Sequence, residues 1–315
     1  MNSFKGCNVF VSGGAGVIGT VLIDRLQRDE ANIFVGDLKP KPPDWQEGIL
    51  YRQGDLNTIT KEELLAYEPH YFFHLAATFE RSVESYGFWR ENFYHNVQLS
   101  HHLIDCLKDC PSLQRVVFAS SYLVYHASLY QFEIPPRFPV RLDESKPVSP
   151  RNLCGAAKLY HEHELFFLQS FEEASFTAIS ARIFRSYGKG SRDVISRWIR
   201  ALLKNERLKV YNCEGCFDLI FAEDAAEGLC RLALSDAAGA VNLGTGCARK
   251  ISDVLNILNE HFHDAVYETV KTKIHFEASQ ANMDNFKTIT GWVPGYQLED
   301  AIPLIIDYEK KRPPG

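Results

Sequence analysis

The chain has 315 residues, of which 45% are hydrophobic and 23% are charged, and its formal net charge is −6. This length favours two lobes over one small core, and the negative charge gives no reason to expect nucleic-acid binding. No apolar run approaches the roughly 18 residues that a membrane span needs, and the first residues lack the apolar core of a signal peptide, so we expect a cytoplasmic protein.

Strands and helices alternate through the first half. The apolar pattern predicts strands at 8–11, 32–35, 71–74, 115–119 and 177–182, and helices at 17–28, 61–66, 92–108 and 155–173. This order is typical of an α/β fold, a Rossmann-type doubly wound parallel sheet, which we assign to residues 1–182.

The pattern is looser in the second half. We predict helices at 194–204, 222–234, 251–261 and 298–310, and strands at 209–211 and 240–243. Residues 183–315 are interpreted as a smaller substrate-binding lobe that covers the cleft, with 218–235 returning to the first lobe.

A glycine motif follows the first predicted strand and opens the first helix. The spacing is Gly13-x-x-Gly16-x-x-Gly19, with Val17 and Ile18 at the start of the helix. Glycines let backbone N–H groups approach a pyrophosphate, and the helix N-terminus adds partial positive charge. Because the motif lies in a strand–turn–helix context, these five residues are predicted to bind a dinucleotide.

Two acidic residues are candidates for the adenosine end of the cofactor. Asp37 ends the second strand, eighteen residues after Gly19. A carboxylate there accepts hydrogen bonds from the ribose and repels a 2′-phosphate, which favours NAD over NADP, although Lys39 and Lys41 weaken the preference. Asp55 and Leu56 are interpreted as a second adenine-side element. The alternative for either aspartate is a structural turn residue.

These residues, with several later motifs, resemble the extended short-chain dehydrogenase/reductase family, the group of sugar-nucleotide epimerases and dehydratases. The resemblance covers nearly the whole chain. It is carried by SGGAGVIG at 12–19, FHLAA at 73–77, ASSYLVY at 119–125, RIFRSYG at 182–188, IFAEDAAE at 220–227, VNLGTG at 241–246 and GWVP at 291–294. It implies that Leu75, Ala76 and Ala77 also contact the cofactor.

The resemblance implies a Ser or Thr, a Tyr, and a Lys four residues after the Tyr as catalytic residues. In that chemistry the Lys holds the nicotinamide ribose and lowers the Tyr pKa, and the Tyr removes a proton while NAD accepts a hydride. Ser121 matches the hydroxyl and Lys158 the Lys, but the Tyr position is Cys154.

Three interpretations of Cys154 remain open. It is an engineered substitution in an ordinary enzyme, a natural change that lost or altered the activity, or a thiol that itself acts as acid and base. A thiol beside a cation ionises more readily than one in isolation, but its side chain is several ångströms shorter than a phenol.

The expected substrate lobe departs from the family pattern. Phe217 stands where an Arg often clamps a diphosphate, and Lys271 and Lys273 are the nearest cations to the second clamp. Arg185 and Arg192 are candidates for an alternative anion site, unless they are surface residues.

Two further stretches bear on the substrate. Thr78 and Glu80 follow the third strand and are predicted to contact the substrate, the alternative being a solvent-facing loop. Tyr122 and Leu123 stand where the family's dehydratases carry an Asp-Glu pair, which argues against 4,6-dehydration.

These observations predict an NAD-dependent epimerase or oxidoreductase for a sugar or sugar nucleotide. The alternative is an NAD-binding protein without redox turnover, a sensor or assembly subunit. We expect a homodimer formed through helices 92–108 and 155–173; the alternative is that those helices only cover the sheet. No nucleic-acid or membrane partner is expected. The Cys213–Cys216 pair lacks the two further ligands of a zinc site, so no metal is expected.

Overall fold

A computed structural model describes residues 3–81, 83–263, 265–270 and 275–312. In chain order the elements are β1 (Asn8–Ser12), α1 (Val17–Arg28), β2 (Asn32–Asp37), β3 (Leu50–Gln53), α2 (Lys61–Tyr67), β4 (Tyr71–His74), α3 (Tyr86–Asn92), α4 (Leu99–Leu107), β5 (Arg115–Ser121), β6 (Gln131–Phe132), β7 (Val140–Leu142), α5 (Leu153–Leu168), β8 (Thr177–Ile183), β9 (Arg185–Tyr187), α6 (Val194–Leu203), β10 (Leu208–Tyr211), β11 (Cys216–Phe221), α7 (Ala222–Ala233), β12 (Gly239–Leu243), β13 (Ala248–Lys250), α8 (Ile251–His261), β14 (Tyr267–Val270), β15 (Phe276–Ala281), α9 (Asp284–Thr290) and α10 (Leu298–Lys311).

The first sheet has seven parallel strands in the order β12-β8-β5-β4-β1-β2-β3. Its central strands, β1, β4, β5 and β8, are largely buried on both faces because helices cover both. In β1, Val9 and Val11 contribute to one hydrophobic cluster, whereas Phe10 contributes to another with Phe72 of β4. The Rossmann-type doubly wound sheet is therefore confirmed.

The boundary of the first lobe differs from the expectation. Strand β12 pairs with β8 in the first sheet, and helix α7 packs against α1. Strand β11, by contrast, lies in a second sheet ordered β13-β11-β15-β6, with β7 and β9 paired alongside. We therefore keep the two lobes as a proposal: α7 returns to the first lobe as expected, β12 is added to it, and residues 218–221 of β11 belong to the second sheet instead.

Helix and strand limits also differ from the sequence predictions. The helix predicted at 92–108 begins earlier, at Tyr86, and contains a π-helical segment, Phe93–Gln98, between α3 and α4. The helix predicted at 155–173 is α5, which ends at Leu168. Most strands of the second sheet escaped prediction because they are short or polar, as in the sequence FEASQA of β15.

Two negative findings apply to the described residues. Among them, no helix is long and apolar enough to cross a membrane. Within the same residues, no group of three or more His, Cys, Asp or Glu side chains is arranged to hold a metal ion. The eight cysteines are free thiols, and Cys216 opens β11 directly after a turn.

Candidate active site

The glycine turn lies at the carboxyl end of β1, and its glycines are required by close backbone approach. Gly13 has φ +76°, and a Cβ there would lie 2.6 Å from the backbone N of Ala76. A Cβ on Gly19 would lie 2.5 Å from the carbonyl O of Gly13. Gly16 caps α1 without a side-chain hydrogen bond, so the first-turn N–H groups at Val17 and Ile18 face no capping side chain. This turn fits a pyrophosphate.

Asp37 is fixed against the glycine turn. Its Oδ2 accepts a hydrogen bond from the N–H of Ala15 at 2.9 Å, and its Oδ1 accepts one from the N–H of Lys39 at 2.9 Å. The Lys39 Nζ in turn donates to the carbonyl O of Ala15 at 2.8 Å. The carboxylate is thus held at the end of β2, beside the turn that follows β1.

Asp55 has a clear structural role. Its Oδ1 accepts from the N–H of Asn57 at 2.9 Å, and its Oδ2 accepts from the hydroxyl of Tyr94 at 2.5 Å. Burial alone would raise the pKa of Asp55, but these hydrogen bonds lower it. The neighbouring Leu56 is buried against Gly36, where a Cβ would lie 2.5 Å from a Leu56 methyl carbon. A contact of either residue with adenine remains a prediction.

His74, in the third-strand motif, links the glycine turn to the helix behind it. Its Nδ1 lies 2.7 Å from the Ser12 Oγ and its Nε2 lies 2.7 Å from the Ser100 Oγ. Burial lowers the pKa of His74 well below its usual value, so the ring is neutral. Because Ser100 donates to the carbonyl O of Asn96 at 2.6 Å, it accepts from His74, and the ring proton lies on Nε2.

The π-helical segment positions the amide of Asn96 between α5 and the loop after β4. Asn96, inside the segment, donates from Nδ2 to the Asn92 Oδ1 at 2.7 Å and to the carbonyl O of Thr78 at 3.0 Å. Its Oδ1 accepts from the N–H of Thr78 at 2.7 Å. Such segments often occur at functional sites, and this one holds the loop after β4 against α5.

Cys154 lies in the first turn of α5, with 4% of its surface exposed. Its Sγ is 3.7 Å from the carbonyl O of Thr78, to which it donates, and 3.8 Å from the Asn96 Nδ2, from which it accepts. Burial raises the pKa of the Cys154 thiol to about 12, against an opposing effect of Lys158. The thiol is therefore protonated and hydrogen-bonded at neutral pH.

Lys158 lies one turn further along α5. Its Nζ donates to the carbonyl O of Ala119 at 2.6 Å and lies 4.7 Å from the centre of the Phe118 ring. Burial lowers the pKa of Lys158 to about 8. Ser121 ends the same strand, β5, where its Oγ accepts from the N–H of Leu123 at 3.2 Å. The structure thus places Ser121 and Lys158 at the carboxyl end of β5, and Cys154 against the loop that follows the neighbouring strand β4.

A closed set of ion pairs, here called the charge ring, is formed by Glu80, Arg151, Arg185 and Glu277. Arg151 contacts Glu80 at 3.3 Å and Glu277 at 2.8 Å. Arg185 contacts the same two carboxylates at 2.8 and 3.0 Å. Burial alone would raise the pKa of Glu277, but the two guanidinium groups lower it to about 2. The charge of Arg185 is therefore already compensated by carboxylates of this chain.

Aromatic side chains surround the charge ring. The Tyr122 hydroxyl donates to the Glu277 Oε1 at 2.6 Å. The Arg185 guanidinium lies 5.6 Å from the centre of the Tyr122 ring and 5.3 Å from that of Phe217. Phe217, at the expected clamp position, is thus a packing partner of Arg185.

The other proposed anion-binding residues lie apart from this ring. Arg192 is exposed, and its guanidinium lies 5.6 Å from the centre of the Phe79 ring. Lys271 and Lys273 lie outside the described residues. Thr78 donates from its hydroxyl to Glu91 at 2.7 Å, while its backbone contacts Asn96 and Cys154.

Sequence reasoning missed Arg151 and Glu277. Arg151 directly precedes Asn152, the N-cap of α5, and Glu277 lies in the short strand β15. No local motif marks either residue. The second sheet brings Arg185 of β9 and Glu277 of β15 together through β11, and Arg151 joins them from the loop before α5.

Comparisons with known proteins identify the family of this chain. The family model described as "NAD dependent epimerase/dehydratase family" matches residues 9–244. The chain is 24% identical to the UDP-glucose 4-epimerase of Mycolicibacterium smegmatis, over 96% of this chain and 98% of that protein. It is 23% identical to UDP-glucuronic acid decarboxylase 5 of Arabidopsis thaliana, over 94% of this chain and 87% of that protein.

A solved structure shows the same fold. MoeE5, in complex with UDP-glucose and NAD, superposes with a TM-score of 0.83 over 96% of this chain and 99% of that chain, at 24% sequence identity. The shared fold extends over both sheets, since nearly the whole of each chain is covered.

Proposed function

Because the chain belongs to the NAD dependent epimerase/dehydratase family, we propose that it epimerises or oxidises a sugar or sugar nucleotide with impaired proton transfer. NAD is its cofactor, as for the family. The observation that carries the proposal is the retention of Ser121 and Lys158 around a Cys154 thiol that is buried and protonated.

NAD, when bound, supplies a hydride acceptor for oxidation of a sugar carbon. The chain's own residues bind and orient the reactants. We assign the glycine turn to the pyrophosphate, Asp37 to the adenosine ribose and Lys158 to the nicotinamide ribose. Ser121 orients the reacting hydroxyl from the end of β5, and the loop carrying Thr78 and Glu80 contacts the sugar.

The Cys154 thiol is a poor base in this setting. A general base must be deprotonated at the operating pH and must reach the proton that it removes. With a pKa of about 12, the thiol keeps its proton near neutral pH, and that proton is donated to the carbonyl O of Thr78. This argues against the thiolate interpretation and favours a site with slowed proton transfer.

Single-turnover measurements test this proposal. The NAD-loaded parent, Cys154→Tyr and Cys154→Ala are mixed with UDP-glucose, and reduced nicotinamide is followed by absorbance. One positioned general base typically contributes about 10²–10⁴-fold. We expect Cys154→Tyr to be faster than the parent by a factor of that order, with unchanged NAD affinity, and Cys154→Ala to match the parent. A Cys154→Ala variant without activity, from an active parent, contradicts the proposal.

A second candidate is an NAD-binding protein without redox turnover. The same protonated thiol favours it, together with a charge ring whose four members already neutralise one another. In that case NAD binds normally, but neither the parent nor Cys154→Tyr forms reduced nicotinamide or an epimerised product with UDP-glucose, UDP-glucuronic acid or their 4-epimers.

We also propose a homodimer and a cytoplasmic location. The helical stretch from Tyr86 to Leu107 and α5 carry exposed aromatic side chains, which suit a contact between copies; they include Trp89, Phe93, Phe166 and Phe167. Light scattering gives the mass of the particle, and Trp89→Glu is expected to shift it toward the monomer. Eight free thiols are consistent with a reducing compartment.

A further inference from the structure

The two carboxylates of the charge ring are held in different ways. Glu277 lies on strand β15, and its side chain is 6% exposed. It also accepts hydrogen bonds from the hydroxyls of Tyr122 and Ser279, at 2.6 and 3.1 Å. Glu80 lies on the loop between β4 and α3, and its side chain is 29% exposed. Glu277 is thus built into the sheet, whereas Glu80 reaches the ring from a connection.

Three side chains converge on the Glu80 carboxylate. Its Oε1 accepts from the Arg185 Nη1 at 2.8 Å. Its Oε2 accepts from the Asn152 Nδ2 at 2.8 Å and from the Arg151 Nη2 at 3.3 Å. Charged donors placed around both oxygens of a carboxylate form a strong and geometrically specific site for that planar group.

The charge balance leaves this site cationic when Glu80 is set aside. Arg151 and Arg185 carry two positive charges, and Glu277 carries one negative charge because its pKa is lowered to about 2. The remainder is one positive charge, next to the N-cap of the helix that carries Cys154 and Lys158.

Buried donors near the arginines also lack partners. Within the described part of the chain, the Arg185 Nε and the Tyr130 hydroxyl are buried and form no hydrogen bond. The Tyr130 ring lies 5.6 Å from the Arg151 guanidinium. Buried polar groups are normally paired, so these two groups are available to a polar ligand or to ordered water.

We propose that Glu80 occupies an anion site of the substrate cleft and that the carboxylate of an acidic sugar substrate displaces it from Arg151, Arg185 and Asn152. This inference rests on the proposed function, because it places a sugar beside α5. The ligand's carboxylate then accepts the same hydrogen bonds that Glu80 accepts. Glu80 therefore competes with the substrate for this site, which favours substrates that carry a carboxylate over neutral ones.

The Glu80 side chain can leave the charge ring while the loop that carries it stays in place. Thr78 and Arg81 bind Glu91 from either side of Glu80, at 2.7 and 2.9 Å. Glu84 accepts from the N–H of Leu153 at 2.7 Å. Displacement therefore needs a rotation of one side chain, and Glu84 provides a matched control on the same loop.

Calorimetric titration of the NAD-loaded protein with UDP-glucuronic acid and UDP-glucose tests the proposal. These ligands differ by a carboxylate in place of a hydroxymethyl group, and the ratio of their Kd values isolates its contribution. Glu80→Gln removes the competing charge and is expected to raise the preference for UDP-glucuronic acid about tenfold or more. Glu80→Ala is expected to act in the same direction, and Glu84→Gln to leave the ratio unchanged.

The inference is overturned if, in both Glu80 variants, the preference for UDP-glucuronic acid over UDP-glucose is unchanged or lower than in the parent. If no form of the protein binds either sugar nucleotide, the proposed function fails instead, and the anion site is then tested in a separate experiment. In that experiment, arginine side-chain NMR signals of Glu80→Gln are recorded with glucuronate and with glucose. A shift with glucuronate alone supports the site, and no shift with either sugar rejects it.

Discussion

The glycine turn after β1 and the first turn of α5 both lie at the carboxyl ends of strands of the first sheet. They differ in how closely their residues follow the family pattern. At the glycine turn the family's residues are retained, and backbone geometry requires them: Gly13 and Gly19 have no space for a Cβ. At the first turn of α5, the position that we propose to be reactive holds the buried thiol of Cys154, with Lys158 one turn further along and Ser121 at the end of β5.

The difference separates binding from proton transfer. Cofactor binding depends on backbone N–H groups and a few short contacts, so it tolerates no added atoms and leaves a clear sequence motif. Proton transfer depends on the reach and pKa of one side chain, which a single substitution changes without disturbing the fold. We therefore expect substitutions in the two regions to affect different measurements. Three predictions extend the comparison to the charge ring beside α5, to the glycine turn itself and to Asp37.

The largest expected effect lies in the charge ring. Glu277→Gln leaves Arg151 and Arg185 with only Glu80, and removal of one partner from a buried ion-pair network typically costs about 3 kcal/mol. Urea unfolding followed by circular dichroism measures the free energy of unfolding. Glu299→Gln, which removes a partner from an exposed pair with Arg249, serves as control and is expected to cost at most about 1 kcal/mol. Equal losses in the two variants would show that the ring does not stabilise the cleft.

The second effect concerns the glycine turn. Gly13→Ala forces a Cβ to within 2.6 Å of the Ala76 backbone, at a residue with φ +76°. Strain of this kind costs about 2 kcal/mol, which corresponds to roughly thirtyfold weaker NAD binding if the turn moves to relieve it. Gly48→Ala is the control, because no atom lies within 4 Å of a Cβ there. Calorimetry with NAD compares them, and equal affinities in both variants would remove the turn from the cofactor site.

The smallest effect is at Asp37. Asp37→Ser keeps a hydrogen-bond acceptor near the N–H of Ala15 but removes the charge that repels a 2′-phosphate. We expect the preference for NAD over NADP to narrow about tenfold, equivalent to about 1.4 kcal/mol. Asp44→Ser, on the exposed segment after β2, is expected to leave both affinities unchanged. A preference that is unaltered in Asp37→Ser contradicts this role.

The sequence was most informative where function depends on local backbone geometry. The glycine turn, the first parallel strands and the motif around His74 are contiguous segments whose pattern alone identifies the fold. The position of Cys154 relative to Lys158 was also visible, because four residues make one helical turn.

The environment of Cys154 and the charge ring could not be predicted in the same way. The thiol's hydrogen bonds come from the loop after β4 and from Asn96, whose orientation depends on a π-helical segment without a sequence signal. The ring joins residues up to 197 positions apart, from Glu80 to Glu277, through short strands of the second sheet. Their partnership is a property of tertiary packing, which periodicity does not report.

The claim that Cys154 is protonated at neutral pH is tested most directly by titrating that thiol. In protein labelled with ¹³C at the cysteine Cβ, the Cys154 signal is assigned by its loss in Cys154→Ser and followed against pH, with the exposed Cys247 as internal comparison. Burial disfavours the thiolate, so the pKa is raised and the proton stays bound through the neutral range. We predict a pKa of about 12 for Cys154. A pKa at or below about 8.5, the value of an unperturbed thiol, would contradict the account and return the thiolate to consideration as the working base.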